Sequence, residues 1–437
     1  MKRAARRIVE KLRLQGHEAF FAGGWVRDFL LRRKPKDIDI ATSALPDEVQ
    51  RLFPNSRILG AQFGVIQVPM YGHVYEVATF RIDSAYIDGR HPSSITFSGP
   101  EQDALRRDFT INGLFYDPVA DRLIDYVHGR SDIQRKLIRT IGDPCVRFAE
   151  DKLRMLRAIR LSCALDFRIV PETWDAIRRG ASEILKISWE RIRDELIKLF
   201  TGPEPDAGLN LLYQSGLLTH ILPEIAAMHG IPQSPEFPQT ADVFAHTRTA
   251  LAMLRKPSAI LAFGTLLHDV GKPSVYSAEE PKRFEGHAQL GSRISREVCR
   301  RLRISNEAAD QVVDLVSTHM DFLQVGEMRE GALRKLLHKP NIADHLELFR
   351  ANCLSSRRSL DGYSLCLRKL KEFGRQPTPE PLMSGEDLIE MGYTPGPIFK
   401  EILQAVEDLQ LEGTIRTREE AVRHIRAFFP IPDKPQS

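Results

Sequence analysis

The sequence predicts an α+β fold in which a small mixed α/β head is followed by a long all-helical body. In the first part of the chain, short apolar runs alternate with polar residues and glycine turns, which is typical of strands joined to short helices. After Asp143-Pro144 the apolar residues recur with helical spacing, and almost no strand pattern remains. With 42% hydrophobic and 27% charged residues, the composition excludes a disordered chain or a fibre.

The head is predicted to consist of short helices and strands. Gly16 ends the first helix, and Pro46 suits the first turn of a later one. The predicted elements are helices at 3–14, 25–31 and 47–53, and strands at 19–22, 37–40, 65–70 and 74–80. Residues 81–102 are polar and show no periodicity, so they are predicted to form a long surface loop.

The body is predicted to be helical, with two proline-rich interruptions at 232–238 and 376–381. The helical spacing covers residues 146–163, 172–185, 189–200 and 207–222. We therefore divide the chain into four segments, which are a head at 1–143, a helical neck at 144–228, a helical domain at 229–375 and a helical C-terminal tail at 376–437.

The composition also bears on where the protein works. No apolar run approaches the roughly 18–20 residues that span a bilayer, and the charged N-terminus does not resemble a secretory signal. The five cysteines lie far apart without a Cys-x-x-Cys pair, which favours the reducing cytoplasm over a disulfide framework. The net charge of +4 permits a polyanionic partner without requiring one.

Asp37 and Asp39 are the first pair of residues whose spacing indicates a chemical function. Residues i and i+2 of a strand point to the same face, so the two carboxylates converge. Neighbouring carboxylates repel each other unless a cation lies between them, and Mg²⁺ is a hard cation that prefers oxygen ligands. For this pair taken alone, two aspartates on a solvated edge strand are the simpler interpretation.

A glycine turn upstream favours the metal interpretation. Gly23-Gly24 lies between a predicted strand and a predicted helix, where the backbone can approach a phosphate closely and the helix start offers free N–H groups. Arg27, about one turn inside that helix, is placed to bind a triphosphate. Together with Asp37 and Asp39, this set predicts a nucleoside triphosphate held by Mg²⁺.

Five stretches of the sequence resemble a known family. The segment GGWVRD at 23–28, followed by DID at 37–39, resembles the head of the class II tRNA nucleotidyltransferase and poly(A) polymerase superfamily. The later stretches that resemble the same family are RRDFTIN at 106–112, EDKLRMLR at 150–157 and the run at 385–413. The last of these is similar to the tail of bacterial members that carry an HD domain.

The resemblance implies a nucleotidyltransferase-type head that binds two Mg²⁺ ions, ATP, CTP and the acceptor arm of tRNA. It assigns catalysis and the metal ions to Asp37 and Asp39. It assigns nucleotide binding to Gly24, Arg27, Arg107, Asp108, Asp151, Arg154, Arg157 and Arg160. Within that set, the Arg107-Asp108 pair is matched to the ribose 2′-hydroxyl. Gly113 stands where the family usually has alanine.

The Asp151 and Arg154 pair also has a chemical logic of its own. Residues three apart on a helix share a face, so a carboxylate acceptor lies beside a guanidinium donor. Cytosine and adenine present the complementary amine and ring nitrogen, whereas uracil and guanine present the reverse pattern, so the pair could select C and A. An ordinary surface ion pair is the alternative. Arg157 continues the same side, while Arg160 lies about 120° around the helix.

A second candidate site lies in the helical body. It comprises four histidines and an aspartate, which are His246, His268, Asp269, His287 and His319. The set resembles the HD superfamily of metal-dependent phosphohydrolases, and such ligands would suit a divalent transition metal that activates water. In a complete site of this kind, an aspartate would stand at the position of Asn352, further along the chain than the histidines. A neutral amide is a poorer metal ligand than a carboxylate. Structural histidines left in an inactive domain are the alternative.

The resulting hypothesis is template-independent transfer of nucleotides to the 3′ end of tRNA, with RNA binding that weakens as salt rises. No DNA or membrane partner is expected. A poly(A) polymerase is one alternative, although residues 60–64 are Gly-Ala-Gln-Phe-Gly where such enzymes carry a basic segment. A metal-dependent phosphohydrolase and a non-catalytic RNA-binding module are the others, and the intact aspartates argue against both.

Two questions stay open at this point. Residues 80–109 form a full-length segment, which favours addition of the terminal A, but CCA addition and A addition are not distinguished. Glu76, on the strand predicted at 74–80, is either a third acidic group near the metal or a structural residue.

Overall fold

The computed structural model describes residues 1–35, 37–59, 64–83, 95–233, 242–277, 284–373, 380–411 and 413–430. Its contacts divide the chain into two compact units. The first unit comprises Met1–Ala227 with Val298–Ser305, and the second comprises Met228–Glu297 with Asn306–Ser437. Among the described helices, none combines the length and apolar character needed to cross a bilayer.

The first unit contains all the strands that the described residues form. They are β1 Ala19–Ala22, β2 Asp39–Thr42, β3 Arg57–Ile58, β4 Val65–Met70, β5 His73–Thr79, β6 Arg81–Asp83, β7 Ile95–Phe97, β8 Leu114–Asp117, β9 Arg122–Asp125, β10 Leu137–Ile138 and β11 Arg168–Ile169. Seven of them form one sheet in the order β3-β4-β5-β2-β1-β8-β9. Neighbouring strands in this sheet are antiparallel except β2 and β5, which run parallel.

Apolar residues at the centre of the sheet fix its geometry. β1, with the sequence Ala-Phe-Phe-Ala, is buried along its whole length because it lies between β2 and β8. The ring of Phe20 packs against those of Phe80 and Phe115, at centroid distances of 6.1 and 6.2 Å. This core holds β1 and β2 together, and so it positions the turn that follows β1 and the first residue of β2.

Five helices accompany the sheet, which are α1 Lys2–Leu14, α2 Gly24–Leu30, α3 Pro46–Leu52, α4 Pro100–Leu105 and α5 Gly129–Arg135. The prediction of a long loop at 81–102 is wrong where that segment is described. β6 and β7 pair as an antiparallel hairpin, and α4 begins at Pro100. The strands are too short, and the helix too polar, to give a clear period in the sequence.

The neck of the first unit is helical, but it has breaks that the apolar spacing does not predict. Its helices are α6 Pro144–Glu150, α7 Leu153–Leu165, α8 Pro171–Gly180, α9 Trp189–Phe200, α10 Pro205–Gln214, α11 Leu217–Ile221 and α12 Pro223–Ala226. The helix predicted at 146–163 is interrupted at Asp151, where the backbone is extended with φ −144° and ψ 104°. The helix predicted at 207–222 is interrupted at Gly216, where φ is +80°.

The rest of the described chain is helical. Its helices are α13 Val243–Ala252, α14 Ala259–Leu267, α15 Lys272–Val275, α16 His287–Arg301, α17 Asn306–Thr318, α18 Glu330–Leu337, α19 Ile342–Ser355, α20 Asp361–Phe373, α21 Gly385–Glu390, α22 Pro397–Leu411 and α23 Arg418–Phe428. α14 is apolar and almost wholly buried, so it carries His268 and Asp269, which follow it, into the interior. The predicted fold class, an α/β head followed by a helical body, is confirmed.

Gly271 offers a test of the packing in the second unit, because the turn after α14 approaches the start of α16 there. A Cβ atom at Gly271 would lie 2.1 Å from the carbonyl oxygen of His287 and 2.8 Å from the amide nitrogen of Gly291. Gly271→Ala is therefore expected to lower the free energy of unfolding by about 3 kcal/mol, the upper part of the range for overpacking. Urea denaturation would measure this loss.

Gly326→Ala is the matched control, since no heavy atom lies within 4 Å of a Cβ at that position. Its free energy of unfolding should stay within about 0.5 kcal/mol of the unmodified chain. Equal stability of the two variants would contradict the close approach at Gly271.

Candidate active site

A cavity of about 530 Å³ in the first unit collects residues from separate stretches of the sequence. The predicted site residues that line it are Gly24, Arg27, Asp39, Arg107, Asp108, Asp151, Arg154, Arg157 and Arg160. Asp37 is not among its lining residues. Eight arginines and three aspartates line the wall, so its charge favours a polyanion such as a triphosphate.

Asp37 and Asp39 have the predicted alternation, with both residues exposed and Ile38 buried between them. The strand itself begins only at Asp39. Partial desolvation at the cavity, together with the charges of Asp37 and Glu76, raises the pKa of Asp39 from 3.8 to about 6. A divalent cation would relieve this repulsion, so these carboxylates fit the oxygen ligands that Mg²⁺ prefers.

Glu76 is the acidic residue whose role the sequence left open. It is exposed on β5, the strand that runs parallel to β2, and its charge acts on Asp39. Tyr75 and Val77 on either side of it are buried, so the alternation along β5 was the available signal. The structure therefore brings a third carboxylate into the neighbourhood of Asp37 and Asp39.

The turn after β1 depends on glycine. Gly23 has φ +66°, which favours glycine, and a Cβ atom there would lie 3.2 Å from Nη1 of Arg107. Arg27, in α2, donates hydrogen bonds to Asn112 Oδ1 at 2.7 Å and to Asp28 Oδ1 at 2.8 Å. The guanidinium groups of Arg27 and Arg107 thus stand beside the backbone of the glycine turn.

Asp103 orients two arginines, and the sequence analysis missed it because it lies between the segment predicted as a loop and the stretch at 106–112. Its side chain is 1% exposed. Oδ1 accepts from Arg106 at 2.6 Å, and Oδ2 accepts from Arg107 at 2.9 Å. Burial alone would raise the pKa of Asp103, but the two guanidinium groups outweigh it and lower the pKa.

Asp108 and Arg157 form an ion pair with two hydrogen bonds between the head and the neck of the first unit. Oδ2 of Asp108 accepts from Nη2 and Nε of Arg157 at 2.6 and 2.9 Å. Oδ1 accepts from the Phe109 amide at 2.8 Å and from Asn112 Nδ2 at 3.1 Å. Burial would raise the pKa of Asp108, but Arg157 and these hydrogen bonds lower it to about 2.

Asp151 and Arg154 both reach the cavity, but not as two positions on one helix. Asp151 lies in the break between α6 and α7, where its Oδ1 accepts from the Leu153 amide at 3.1 Å. Arg154 is buried within α7 and donates to Glu150 Oε2 at 2.5 Å and to the Arg147 carbonyl at 2.9 Å. The shared helical face predicted from their spacing is therefore wrong, although both side chains line the same wall.

Helix α9 supplies partners for two residues of the cavity. Arg191 donates from Nη2 to Asp151 Oδ2 at 2.7 Å, and it lines the cavity itself. Arg160, which the helical angle placed away from Arg154, also lines the cavity and pairs with the buried Glu195. The sequence analysis missed Arg191 and Glu195, since nothing local distinguishes them from other charged residues of a helix.

In the second unit, the five candidate metal ligands converge and are all buried. Asp269 lies at their centre. Its Oδ2 is 3.3 Å from Nε2 of His268 and 3.6 Å from Nε2 of His246. Its Oδ1 is 3.6 Å from Nε2 of His287 and 3.7 Å from Nε2 of His319. One carboxylate therefore separates two pairs of imidazoles.

The electrostatics of this cluster suit metal binding. Burial lowers the pKa of His246 and of His319 to about 3, and it also lowers the pKa of His287. Burial would raise the pKa of Asp269, but His268 and Lys272 outweigh it and hold the pKa well below 3.8. For His246, His287 and His319 this gives neutral imidazoles beside an ionised carboxylate, the protonation states that ligate a divalent metal.

Asn352 stands at the edge of the same cluster. It lies on α19, and its side chain hydrogen-bonds to His246. It lines a cavity of about 450 Å³ together with His246, Asp269, His287 and His319. The position expected to hold a late aspartate is thus at the cluster, where it offers an amide in place of a carboxylate.

Models of three families match successive parts of the chain. They are a Poly A polymerase head domain at 19–139, a probable RNA and SrmB-binding site of polymerase A at 166–228, and an HD domain at 240–348. The CCA-adding enzyme of Bacillus cytotoxicus is 33% identical over 418 residues, which cover 95% of this chain and 96% of that protein. The chain belongs to the family of CCA-adding enzymes.

Solved CCA-adding enzymes have the same fold. The Bacillus stearothermophilus CCA-adding enzyme in complex with CTP matches with a TM-score of 0.73 at 29% identity, over 97% of this chain and 98% of that one. The Thermotoga maritima CCA-adding enzyme complexed with tRNA matches with a TM-score of 0.58 at 20% identity, over 97% and 94%, which is a likeness of fold. The predicted membership of the class II tRNA nucleotidyltransferases with an HD domain is confirmed. CCA-adding enzymes are metal-dependent nucleotidyltransferases.

The raised pKa of Asp39 makes a prediction for the metal-free protein. In the unfolded chain this carboxyl ionises near 3.8, and in the folded chain near 6, so between these values the folded state binds more protons. Stability therefore falls as pH rises through this window, and the loss is complete above pH 6. Asp39→Asn should raise the melting temperature at pH 7.5 in EDTA, but not at pH 3.5.

Mg²⁺ provides the internal control. It should raise the melting temperature of the unmodified protein at pH 7.5 and have a smaller effect on Asp39→Asn, since one of the carboxylates that repel each other is lost. A variant that melts below the unmodified protein in EDTA at pH 7.5 would contradict the repulsion among these carboxylates.

Proposed function

We propose that this chain adds C and A to the 3′ end of tRNA from CTP and ATP, without a template. One observation carries the proposal: a single cavity holds both the arginines that suit a triphosphate and the Asp151 and Arg154 pair that suits a base. The similarity to CCA-adding enzymes, one of them solved with CTP and another with tRNA, supports these substrates.

At the catalytic end, we assign Asp37 and Asp39 to metal binding and place the RNA 3′-hydroxyl and the α-phosphate beside them. Mg²⁺, in our proposal two ions, would lower the pKa of that hydroxyl and neutralise the leaving pyrophosphate. Asp39 faces the cavity, and Glu76 adds a third negative charge near it. The protein's part is to hold these carboxylates at the start of a strand whose other residues are buried, so that the attacking oxygen and the α-phosphate meet in line.

The arginines beside the glycine turn would bind the triphosphate. Arg27 and Arg107 flank Gly23 and Gly24, where no Cβ atom keeps a phosphate from the backbone. Asp103 holds Arg107 at 2.9 Å, so this guanidinium loses little side-chain entropy when it binds. Asp108, fixed by Arg157, is assigned to the ribose 2′-hydroxyl.

Base selection is assigned to Asp151 and Arg154. Three of the five N–H groups of Arg154 donate to Glu150, Arg147 and Arg106, which fixes the plane of the guanidinium. A fixed donor beside a fixed acceptor pairs with the ring nitrogen and the amine of cytosine or adenine. Uracil and guanine would leave buried polar groups unpaired, which costs about 1–3 kcal/mol for each group. Arg157 and Arg160 complete the cationic wall.

The remaining assignments follow the domain plan of the sequence. We propose a catalytic head at 1–143, a neck at 144–228 that selects the base and contacts tRNA, an HD-like domain at 229–375 and a helical tail at 376–437. Residues 60–63 and 84–94, which bear on the poly(A) and terminal-A alternatives, lie outside the described residues. A cytoplasmic location is proposed, and the five free cysteines are consistent with it.

Primer extension tests the proposed function. Three matched tRNAs, ending at the discriminator base, at C and at CC, would each receive CTP, ATP or both, with Mg²⁺. We expect three ordered additions to the shortest tRNA and none after Asp37→Ala or Asp39→Ala, since each removes a metal-binding carboxylate. The control is Asp47→Ala, a change in the first turn of α3, which should leave incorporation unchanged.

The outcomes separate the alternatives. Addition of one A to the CC-ended tRNA alone would make the chain an A-adding enzyme, and a long A tail would make it a poly(A) polymerase. Near-normal incorporation by Asp39→Ala would overturn the metal assignment. No incorporation by the unmodified chain would overturn the proposed function.

A second candidate function belongs to the HD-like domain. We propose that this domain hydrolyses phosphate esters and that its five buried side chains bind the divalent transition metal required for the reaction. The supporting observation is that Asp269 faces two histidines with each of its oxygens, and that each of the two ligand groups has its atoms within 4.8 Å of one another. Two ions could therefore share Asp269, with Asn352 as a weaker neutral ligand.

Metal content tests this second function directly. Elemental analysis of the purified chain should find a transition metal that His268→Gln loses, because a buried ligand is removed. His338→Gln, at an exposed histidine outside the cluster, is the control and should retain it. Phosphate release should follow metal content across the variants. Equal metal content in His268→Gln and His338→Gln would contradict the site.

A further inference from the structure

Ser355 is a buried polar residue beside the histidine cluster of the second unit, and none of the assignments above uses it. We propose that Ser355 positions the ring of His246 and selects the tautomer in which Nε2 is bare and can bind a metal. The proposal rests on the proposed metal site of the HD-like domain, to which it adds a positioning residue outside the five ligands.

Three of the four histidines in the cluster are oriented by backbone carbonyls. In each, Nδ1 contacts the carbonyl oxygen of the residue three positions earlier, at 2.7 Å in His268, 2.6 Å in His287 and 2.7 Å in His319. A carbonyl oxygen can only accept, so Nδ1 of each ring carries the hydrogen. The Nε2 atoms of these rings are therefore left with a lone pair, which is the form that binds a metal.

The place of each ring in its element explains why a carbonyl is available. His268 and His319 directly follow the last residues of α14 and α17, where the final carbonyls have no partner within the helix. His287 is the first residue of α16, so its acceptor lies before the helix. His246 is instead the fourth residue of α13, where the neighbouring carbonyls accept from the amides of the helix itself. Its ring needs a partner from another element.

Ser355 supplies that partner from the end of α19, which packs on α13. Its Oγ lies 2.9 Å from the carbonyl oxygen of Asn352 and 3.3 Å from Nδ1 of His246. A hydroxyl group has one hydrogen, and the nearer carbonyl takes it, so Oγ presents a lone pair to the ring. Nδ1 of His246 is then the donor, and its Nε2 is bare as in the other three histidines.

The bare nitrogens face one another in two pairs. The Nε2 atoms of His246 and His268 are 3.2 Å apart, and those of His287 and His319 are 3.3 Å apart. With Nδ1 carrying the hydrogen on every ring, no hydrogen lies between the members of a pair, and their lone pairs repel unless a cation is present. Ser355 thereby makes His246 and His268 a pair of ligands.

The opposite tautomer of His246 makes distinct predictions. If the Ser355 hydroxyl donates to Nδ1, Nε2 carries the hydrogen and donates to His268 or to the side chain of Asn352. His246 and His268 would then form an ordinary hydrogen bond between structural histidines, and His246 could not bind a metal through Nε2. The location of one hydrogen atom separates the two roles.

The first experiment locates that hydrogen in the metal-free chain by two-bond ¹H–¹⁵N NMR of labelled histidines. The signals of His246 are those that disappear in His246→Gln, and the other rings are identified by the equivalent substitutions. We expect all four rings to carry hydrogen on Nδ1. In Ser355→Ala, His246 should change to the Nε2–H tautomer, whereas the three rings held by backbone carbonyls should keep theirs as internal controls.

The second experiment measures Co²⁺ affinity by titration, with Mg²⁺ in excess to occupy the carboxylates of the first unit. Ser355→Ala should weaken Co²⁺ binding about tenfold, the low end of the range for a partner of a metal-binding histidine. Ser355→Thr keeps the hydroxyl and should retain most of the affinity. Ser355→Cys keeps the volume but offers a weak acceptor, so it should lose affinity even if the alanine variant does not fold.

Ser292→Ala is the matched control. The Ser292 hydroxyl donates to the Gln289 carbonyl three residues earlier, at 2.7 Å, and contacts no histidine among the described residues, so Co²⁺ affinity should be unchanged. An Nε2–H tautomer of His246 in the unmodified chain, an unchanged tautomer in Ser355→Ala, or equal Co²⁺ affinity of Ser355→Ala and Ser292→Ala would overturn the proposal. Absence of Co²⁺ binding by the unmodified chain would instead overturn the proposed metal site, and the NMR measurement would still decide the role of Ser355.

Discussion

The mutual repulsion of arginines around one cavity is the constraint on which the first unit depends. Eight guanidinium groups line a space of about 530 Å³, and each must be held near the others in a partly desolvated wall. Carboxylates offset this repulsion, in the pairs Arg106 and Arg107 with Asp103, Arg154 with Glu150, Arg157 with Asp108, Arg160 with Glu195, and Arg191 with Asp151. The wall remains cationic because the carboxylates that line it are fewer.

These ion pairs also connect the head to the neck of the first unit. Asp108 follows α4 and Arg157 lies in α7, so this ion pair ties the segment after α4 to the helical neck. Asp151 is tied to α9 in the same way. The donors and acceptors are therefore held in place by the protein, and a nucleotide that binds them need not pay to order flexible side chains.

The HD-like cluster of the second unit has the opposite arrangement of charge. There a single buried carboxylate is surrounded by four imidazoles, and burial lowers the pKa of His246, His287 and His319. Lys272 lies 2.7 Å from Asp269 and adds a positive charge. A buried anion with neutral ligands around it is suited to a small divalent cation. The two units thus provide binding sites of opposite charge, one suited to a polyanion and the other to a metal.

The sequence by itself determined the order of head and helical body, the strand alternation at Asp37 and Asp39, the glycine turn and the histidines of the second site. The strand alternation and the glycine turn depend on residues a few positions apart, whose local geometry is nearly constant, whereas the histidines were identified from their resemblance to the HD superfamily. Only the tertiary structure placed Glu76 beside Asp39, Asp103 beside Arg107 and Arg191 beside Asp151. Only the structure showed the break in the helix at Asp151, because the apolar spacing of the sequence continues across it. Contacts between elements depend on how strands are ordered and helices pack, and no local period of the sequence encodes that.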